Sequence, residues 1–294
     1  MNKTQALSLL VEQALRGDLV FSASVATSLR VQEAINVEDC SLDTASKIIL
    51  NEPLLAAKVV AVANSAAYKR STSEVANVRS AIARLGFKTL RALVASLVVR
   101  QIAGASKNPV IRAKINQLWE HSAQVAALAQ ILARRVTKLD PDTAMFAGIV
   151  HEVGGFYLLS RAEEFPCLLE PDDLSGAEDD ESFDALSEAG TEEQSQESII
   201  GRAVLKDLHL PIEVNDALEG LWYGLRAMPP ENLGDTLLLA NELARTVSPL
   251  DTRTDNESNR CESDINFVVG EGSLQAILEE SEDEVRTLSA ALIV

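Results

Sequence analysis

The chain has 294 residues and a formal net charge of −18, from 26 Lys and Arg against 44 Asp and Glu. Its 47% hydrophobic residues suffice for a sizeable core, and its 4% aromatic residues favour closely packed helices over a β-sandwich. The acidic balance argues against nucleic-acid and membrane partners, because both need clustered Lys and Arg. Three widely spaced cysteines without metal spacing, and no apolar run of the ~18 residues of a membrane helix, predict a cytoplasmic protein.

Helical patterns fill the N-terminal third of the chain. Pro53 follows the helix that Ser41 begins, and it fits the first position of the next helix. Gly86 is expected to end a short helix, and an apolar stripe with helical spacing resumes directly after it. These signals predict helices over residues 2–15, 41–51, 53–64, 73–85 and 88–102.

A second series of helices is expected after the sequence GASKNP at 104–109. Asp140 and Pro141 give an N-cap and a proline at the first helical position, whereas Gly154 and Gly155 are expected to break that helix. The predicted helices are 109–136, 141–153, 156–162, 199–208, 212–222, 233–246 and 273–292, and the one strand-like stretch is 265–269. We therefore predict an all-α fold in two packed helical lobes, residues 1–106 and 107–294.

An acidic segment interrupts the second lobe. Between Arg161 and Arg202 there is no Lys or Arg, and fourteen carboxylates lie in that interval. We interpret residues 171–198 as an exposed loop that is dispensable for folding, because it has little apolar area to offset the entropy of ordering. Two interpretations remain: a docking surface for a basic partner, and a solvated insertion that keeps the protein soluble.

Two of the three histidines are candidates for chemistry. His121 lies on the long helix after residue 109, and His151 lies near the end of the helix after Pro141, directly before Glu152. Two imidazoles and a carboxylate from neighbouring helices suit a borderline divalent ion. Taken alone, each histidine fits a packed, hydrogen-bonded helix residue better than a metal ligand.

Four segments come in a fixed order along the chain: NEPLLAAKVVAVANSAAY at 51–68, VRSAIARLGFKTLRALVAS at 78–96, LWEHSAQVAALAQILAR at 118–134 and AMFAGIVHEVGGFYLL at 144–159. Together they resemble the HDOD domain family, the non-catalytic relatives of the HD-domain phosphohydrolases. The resemblance extends from about residue 18 to about residue 240. It implies that the second lobe is an HD-like helical bundle, and that the protein is a bacterial signal-transduction regulator.

The same resemblance suggests a degenerate metal site. HD enzymes hold metal through a His, a His-Asp pair and a later Asp, which correspond here to His121, to His151 with Glu152, and to Asn241. A neutral amide supplies no negative charge to balance a divalent ion. Further histidines of the family correspond to Glu197 and to Leu221 and Trp222. We therefore expect no catalytic residue, no cofactor and no enzymatic activity, with these four side chains as the remnant of an HD site.

The sequence leaves three functions to compare. The first is a non-catalytic regulator that binds a signalling protein or a small ligand. The alternative is a degenerate metal-dependent HD phosphohydrolase, in which His121, His151 and Glu152 would hold Mn²⁺, Fe²⁺ or Ni²⁺ and lower the pKa of a bound water. A purely structural or oligomerising bundle is the third. We expect the first, because a fold alone does not establish an activity and the metal site has lost charge.

Overall fold

The computed structural model describes the chain in segments, namely residues 1–21, 23–37, 39–69, 74–170, 196–208, 210–223, 227, 229–250, 268–269 and 272–293. Within them the fold is all-α, as predicted, apart from one antiparallel pairing of two-residue strands. None of the helices described is both long enough and apolar enough to cross a membrane.

The described residues of the N-terminal lobe form five helices, and a capping side chain marks the start of three of them, the first, third and fifth. Asn2 and Gln5 form a capping box at the first helix, and Ser41 accepts a hydrogen bond from the Thr44 amide at the third. Pro53 occupies the first turn of the fourth helix, as predicted. The helices are α1 (Lys3–Arg16), α2 (Ala23–Asn36), α3 (Leu42–Leu50), α4 (Pro53–Asn64) and α5 (Val78–Ile102).

Helix α5 contains the interruption that the sequence predicted at Gly86. The backbone there has φ 81° and ψ 167°, a non-helical conformation that is essentially confined to glycine, so α5 consists of two helical stretches that meet at a kink. The predicted helix start at residue 73 was wrong as far as the described residues, from 74 onward, show. Asn77 caps the helix through the Ser80 amide, and the segment 74–76 before it is not helical.

The C-terminal lobe is an HD-like helical bundle around α6. Asp140 caps α7 through the Thr143 amide, as predicted. The elements are α6 (Pro109–Leu132), a π-helical turn (Ala133–Thr137), α7 (Pro141–Val150), α8 (Val153–Arg161), a 3-10 turn (Pro166–Leu169), α9 (Gln196–Leu208), α10 (Ile212–Tyr223), α11 (Leu233–Glu242), β1 (Val268–Val269), β2 (Gly272–Ser273), α12 (Leu274–Glu280) and α13 (Glu282–Ile293).

Several predicted boundaries in this lobe were wrong. Gly154 and Gly155 lie inside α8, and the break between α7 and α8 falls at His151 and Glu152 instead. Gly155 packs closely against Leu250, because a Cβ there would lie 2.5 Å from a methyl carbon of that side chain, which would have to shift. Helix α11 ends at Glu242 rather than at 246, and the predicted helix 273–292 divides at Ser281.

The predicted acidic loop 171–198 can be compared only at its end. Residues 171–195 lie outside the described segments, whereas 196–198 belong to α9, so the loop prediction was wrong for those three residues. Ser198 is buried and lies within hydrogen-bond distance of the Arg202 guanidinium. Burial within α9 thus begins at Ser198, inside the stretch that the charge pattern assigned to the loop.

A single apolar core runs through the described segments, and α6 and α7 lie at its centre. Gly148 of α7 lies against α6 so closely that a Cβ there would be 2.5 Å from the Ala126 Cα. Helix α5 packs against α2, α4 and α7, while α13 packs against α6 and α4. The predicted lobe boundary between 106 and 107 falls in the α5–α6 connection and stays a prediction.

Candidate functional site

His121 is positioned by α6 and by the chain after α11. Its side chain is 3% exposed, and its Nδ1 lies 2.6 Å from the carbonyl oxygen of Thr246. A carbonyl only accepts hydrogen bonds, so Nδ1 carries the proton and donates it. In the neutral ring Nε2 is then the nitrogen with the lone pair.

His151 has the same arrangement at the C-terminal end of α7. Its Nδ1 lies 2.7 Å from the Gly148 carbonyl oxygen one turn earlier, so this ring also donates from Nδ1. The side chain is 4% exposed. By bonding one of the last carbonyls of α7, the imidazole satisfies a group that the end of the helix leaves without a partner.

The two Nε2 atoms face each other at 3.2 Å. With both rings neutral, two lone pairs are directed at one another, which is unfavourable unless a cation lies between them. Burial first, and then the neighbouring His121, lower the pKa of His151 to about 3, so a proton is a poor candidate for that cation near neutral pH. The arrangement is that of two imidazoles directed at one metal ion.

Glu152 and Asn241 complete the cluster. A carboxylate oxygen of Glu152 lies 3.9 Å from His121 Nε2, and one ligand atom from each of His121, His151 and Glu152 lies within 4.8 Å of the others. Asn241, on α11, lies near enough to His151 to oppose the lowering of its pKa. Its Oδ1 is buried and has no hydrogen-bond partner among the described residues.

These residues fit a divalent ion of the borderline class. Two imidazole nitrogens that each bind Zn²⁺ at about 2.0–2.1 Å in a tetrahedral site are ~3.3–3.4 Å apart, close to the 3.2 Å found here. Carbonyls fix both tautomers with Nε2 directed inwards, as outer partners do in metal sites. Glu152 offers an anionic oxygen, and the unsatisfied Asn241 Oδ1 a neutral one.

The other positions suggested by the family do not contribute to this cluster as far as they are described. Trp222 packs against Gly201, and its ring centroid lies 5.1 Å from the Arg202 guanidinium. The side chain of Glu197 lies outside the described part of the chain. The extra histidines of the family thus have no counterpart at residues 221 and 222.

Sequence reasoning placed the four side chains but missed their main-chain partners. The carbonyls of Gly148 and Thr246 decide which nitrogen of each imidazole is directed inwards. A carbonyl is present at every residue, so no sequence signal could have identified these two. Gln124, which accepts a hydrogen bond from the Thr246 amide at 2.8 Å, lies one helical turn after His121 and could have been noticed only from that spacing.

Comparisons with known proteins agree on the fold. The family model for the HDOD domain matches residues 23–220, whereas no curated protein matches the chain. A Shewanella amazonensis protein named provisionally as a metal-dependent phosphohydrolase is 23% identical, with a TM-score of 0.69 and 98% of each chain covered. An HDOD domain protein with unknown function from Geobacter sulfurreducens is 18% identical, with a TM-score of 0.58 over 99% of this chain and 98% of that one.

A third similar structure is named provisionally as a signal transduction protein from Marinobacter aquaeolei. It is 16% identical, with a TM-score of 0.52, and the match covers 98% of this chain and 65% of that chain. At these identities the likeness concerns the arrangement of helices. The chemistry has to be argued from the side chains of this chain.

Proposed function

Because this chain belongs to the HDOD domain family, we propose that it is a regulatory protein that acts by binding a signalling protein or a small ligand, and not by catalysis. The observation that carries the proposal is the burial of the His pair. Within the described part of the chain His121 and His151 are 3% and 4% exposed, and burial of this degree disfavours the approach of a charged phosphate ester to a metal-bound water between them.

Charge supports the same conclusion. Glu152 is the one carboxylate of the cluster, and the amide of Asn241 stands where the resemblance to HD enzymes implies an Asp. A dication in this set would be balanced by one carboxylate instead of the two that the HD pattern implies, so the net charge of about +1 weakens its binding without preventing it. Hydrolysis of a phosphate ester requires a site that binds a metal ion and also releases an anionic product.

The residues of this chain would nevertheless hold an ion if one binds. His121 and His151 would contribute their Nε2 atoms, Glu152 a carboxylate oxygen and Asn241 its Oδ1. A bound divalent ion supplies Lewis acidity and lowers the pKa of a bound water. Because both imidazoles are almost fully buried, we assign such an ion the role of a ligand whose presence is detected. The net charge of −18 supports a cytoplasmic protein with neither nucleic-acid nor membrane partners.

Turnover assays test this function directly. Full-length protein, stripped with a chelator, is offered nucleotides, cyclic dinucleotides and an aryl phosphate with Mn²⁺, Fe²⁺, Ni²⁺ or Mg²⁺. We expect no metal-dependent turnover above that of the double variant His121→Ala, His151→Ala. The double variant should lose about 1–3 kcal/mol of stability, because buried hydrogen-bond partners are left unpaired.

The opposite result would support the phosphohydrolase alternative. Metal-dependent turnover that the double variant abolishes, while circular dichroism shows it still folded at the assay temperature, would overturn the regulatory proposal. The facing Nε2 atoms are the observation that keeps this alternative worth testing.

A further inference from the structure

A non-helical segment after α11, residues 246–250, is bound along one face of α6, and we call it the strap. Gln124 accepts a hydrogen bond from the Thr246 amide at 2.8 Å, and His121 donates to the Thr246 carbonyl at 2.6 Å. Gln117 donates to the Val247 carbonyl at 2.9 Å, and Lys114 to the Pro249 carbonyl at 3.3 Å.

The spacing of these four side chains shows that the contact is built into the helix. They lie three, four and three residues apart, which places them on one face of α6. The strap residues that they bind run in the opposite direction, so the strap is antiparallel to the helix. All four bonds go to main-chain atoms, so α6 holds the backbone of the strap in register.

The strap also borders the cluster of His121, His151 and Glu152. A Cβ on Gly155 of α8 would lie 2.5 Å from Leu250 Cδ1 and 3.1 Å from Glu152 Oε2, so Leu250 and Glu152 meet at the same glycine. The strap therefore covers the cluster at the side of α8. At its other end it touches the cluster directly, through the Thr246 carbonyl on His121.

His121 contacts the strap with one edge of its rigid ring and His151 with the other. Its Nδ1–H bonds the strap, and its Nε2 faces His151. A cation on Nε2 fixes the ring orientation and makes Nδ1–H a stronger, charge-assisted donor. A cation between the two Nε2 atoms thus strengthens the hydrogen bond from His121 to the Thr246 carbonyl.

We propose that the strap is the responding element of a divalent-cation sensor, and that a borderline cation such as Zn²⁺ between His121 and His151 holds it more tightly against α6. The inference rests on the proposed regulatory function and names its ligand class and the element that it controls. Because linkage is reciprocal, opening of the strap weakens cation binding by the same factor by which the cation resists opening.

Hydrogen–deuterium exchange of the full chain, untagged and stripped of metal, tests the coupling with Zn²⁺ as the probe. Titration calorimetry first establishes saturating Zn²⁺. We expect the amides of the strap to exchange about 5- to 150-fold more slowly with Zn²⁺, the range of typical couplings between sites. Exchange of peptides from α1 should be unchanged, because α1 packs against α9.

Two sets of variants separate the coupling from general stabilisation. His151→Ala removes one Nε2 and leaves the His121–Thr246 bond in place, so Zn²⁺ should no longer slow the strap; Glu152→Gln serves if that variant does not fold. Gln117→Ala should speed exchange of the metal-free strap by about 2- to 13-fold, the equivalent of one hydrogen bond. Asn116→Ala, at an exposed neighbouring position of α6, is the matched control and should change nothing.

Calorimetry that detects no Zn²⁺ binding at millimolar concentration would overturn the inference. Zn²⁺ binding that leaves exchange of the strap unchanged would overturn it as well. Neither concerns turnover, so the regulatory proposal is judged separately by the hydrolysis assays. Slowed exchange that persists in both His151→Ala and Glu152→Gln would also refute it, because the cation would then bind elsewhere.

Discussion

Replacing Gly148 with Ala tests the central packing on which both the fold and the His pair depend. The added Cβ would lie 2.5 Å from the Ala126 Cα and 2.8 Å from the Ala126 nitrogen. Carbon atoms in contact normally lie ~3.5–4.0 Å apart, so α6 and α7 would have to separate locally by about 1 Å. Both contacts are with main chain, so no side-chain rotation can relieve them.

The expected cost follows from two opposing effects. Overpacking of a core costs about 1–3 kcal/mol, and a clash with backbone belongs near 3 kcal/mol. Alanine is favoured over glycine within a helix by about 1 kcal/mol. The net expectation for Gly148→Ala is a loss of about 2 kcal/mol, which lowers the Tm by ~3 °C in a chain of 294 residues.

Urea and thermal unfolding followed by circular dichroism measure this loss. Gly220→Ala is the matched control, because Gly220 is also helical and its added Cβ would meet only the Gly234 Cα, at 3.4 Å. That variant should be neutral or more stable by up to about 1 kcal/mol. If Gly148→Ala unfolds within ~0.5 kcal/mol of the parent chain, α6 and α7 do not approach as closely as described, and the reasoning fails.

Two further changes probe the N-terminal lobe. Lys58 is 5% exposed with its ammonium 4.7 Å from the Trp119 ring centroid, and burial first and Arg100 second lower its pKa from 10.5 to about 7. The unfolded chain therefore binds more protons than the folded chain between pH 7 and 10.5, so stability should rise by up to about 2 kcal/mol from pH 7 to 9. Urea unfolding of Lys58→Met should lack that rise; an unchanged slope would show that Lys58 stays protonated. Gly86→Ala should cost about 1–3 kcal/mol in the same assay from backbone strain alone, since nothing described lies within 4 Å of its Cβ, and a neutral result would contradict the φ of 81°.

Local signals in the sequence were reliable wherever the deciding atoms lie within one helical turn. The caps at Ser41 and Asp140 and the proline at 53 needed no distant partner, and the structure has helices starting at each. The stop at Gly86 was likewise recognisable, because a positive φ is a property of that residue alone.

Boundaries set by packing were not predictable in this way. Gly154 and Gly155 resemble a helix break by propensity, yet α8 runs through them because Gly155 admits Leu250. The space that a glycine leaves can be filled by a residue almost a hundred positions away, and propensity contains no information about it. The real break, at His151 and Glu152, is where a side chain bonds the end of its own helix.

For the site, the order of His121, His151, Glu152 and Asn241 along the chain was available from the sequence, together with the family that this order resembles. The 3.2 Å between the two Nε2 atoms, the tautomers that direct them inwards and the strap along α6 were decided only by tertiary structure. The reason is physical: residue types determine which donors and acceptors exist, whereas helix crossing and main-chain carbonyls, which every residue has, determine which of them meet.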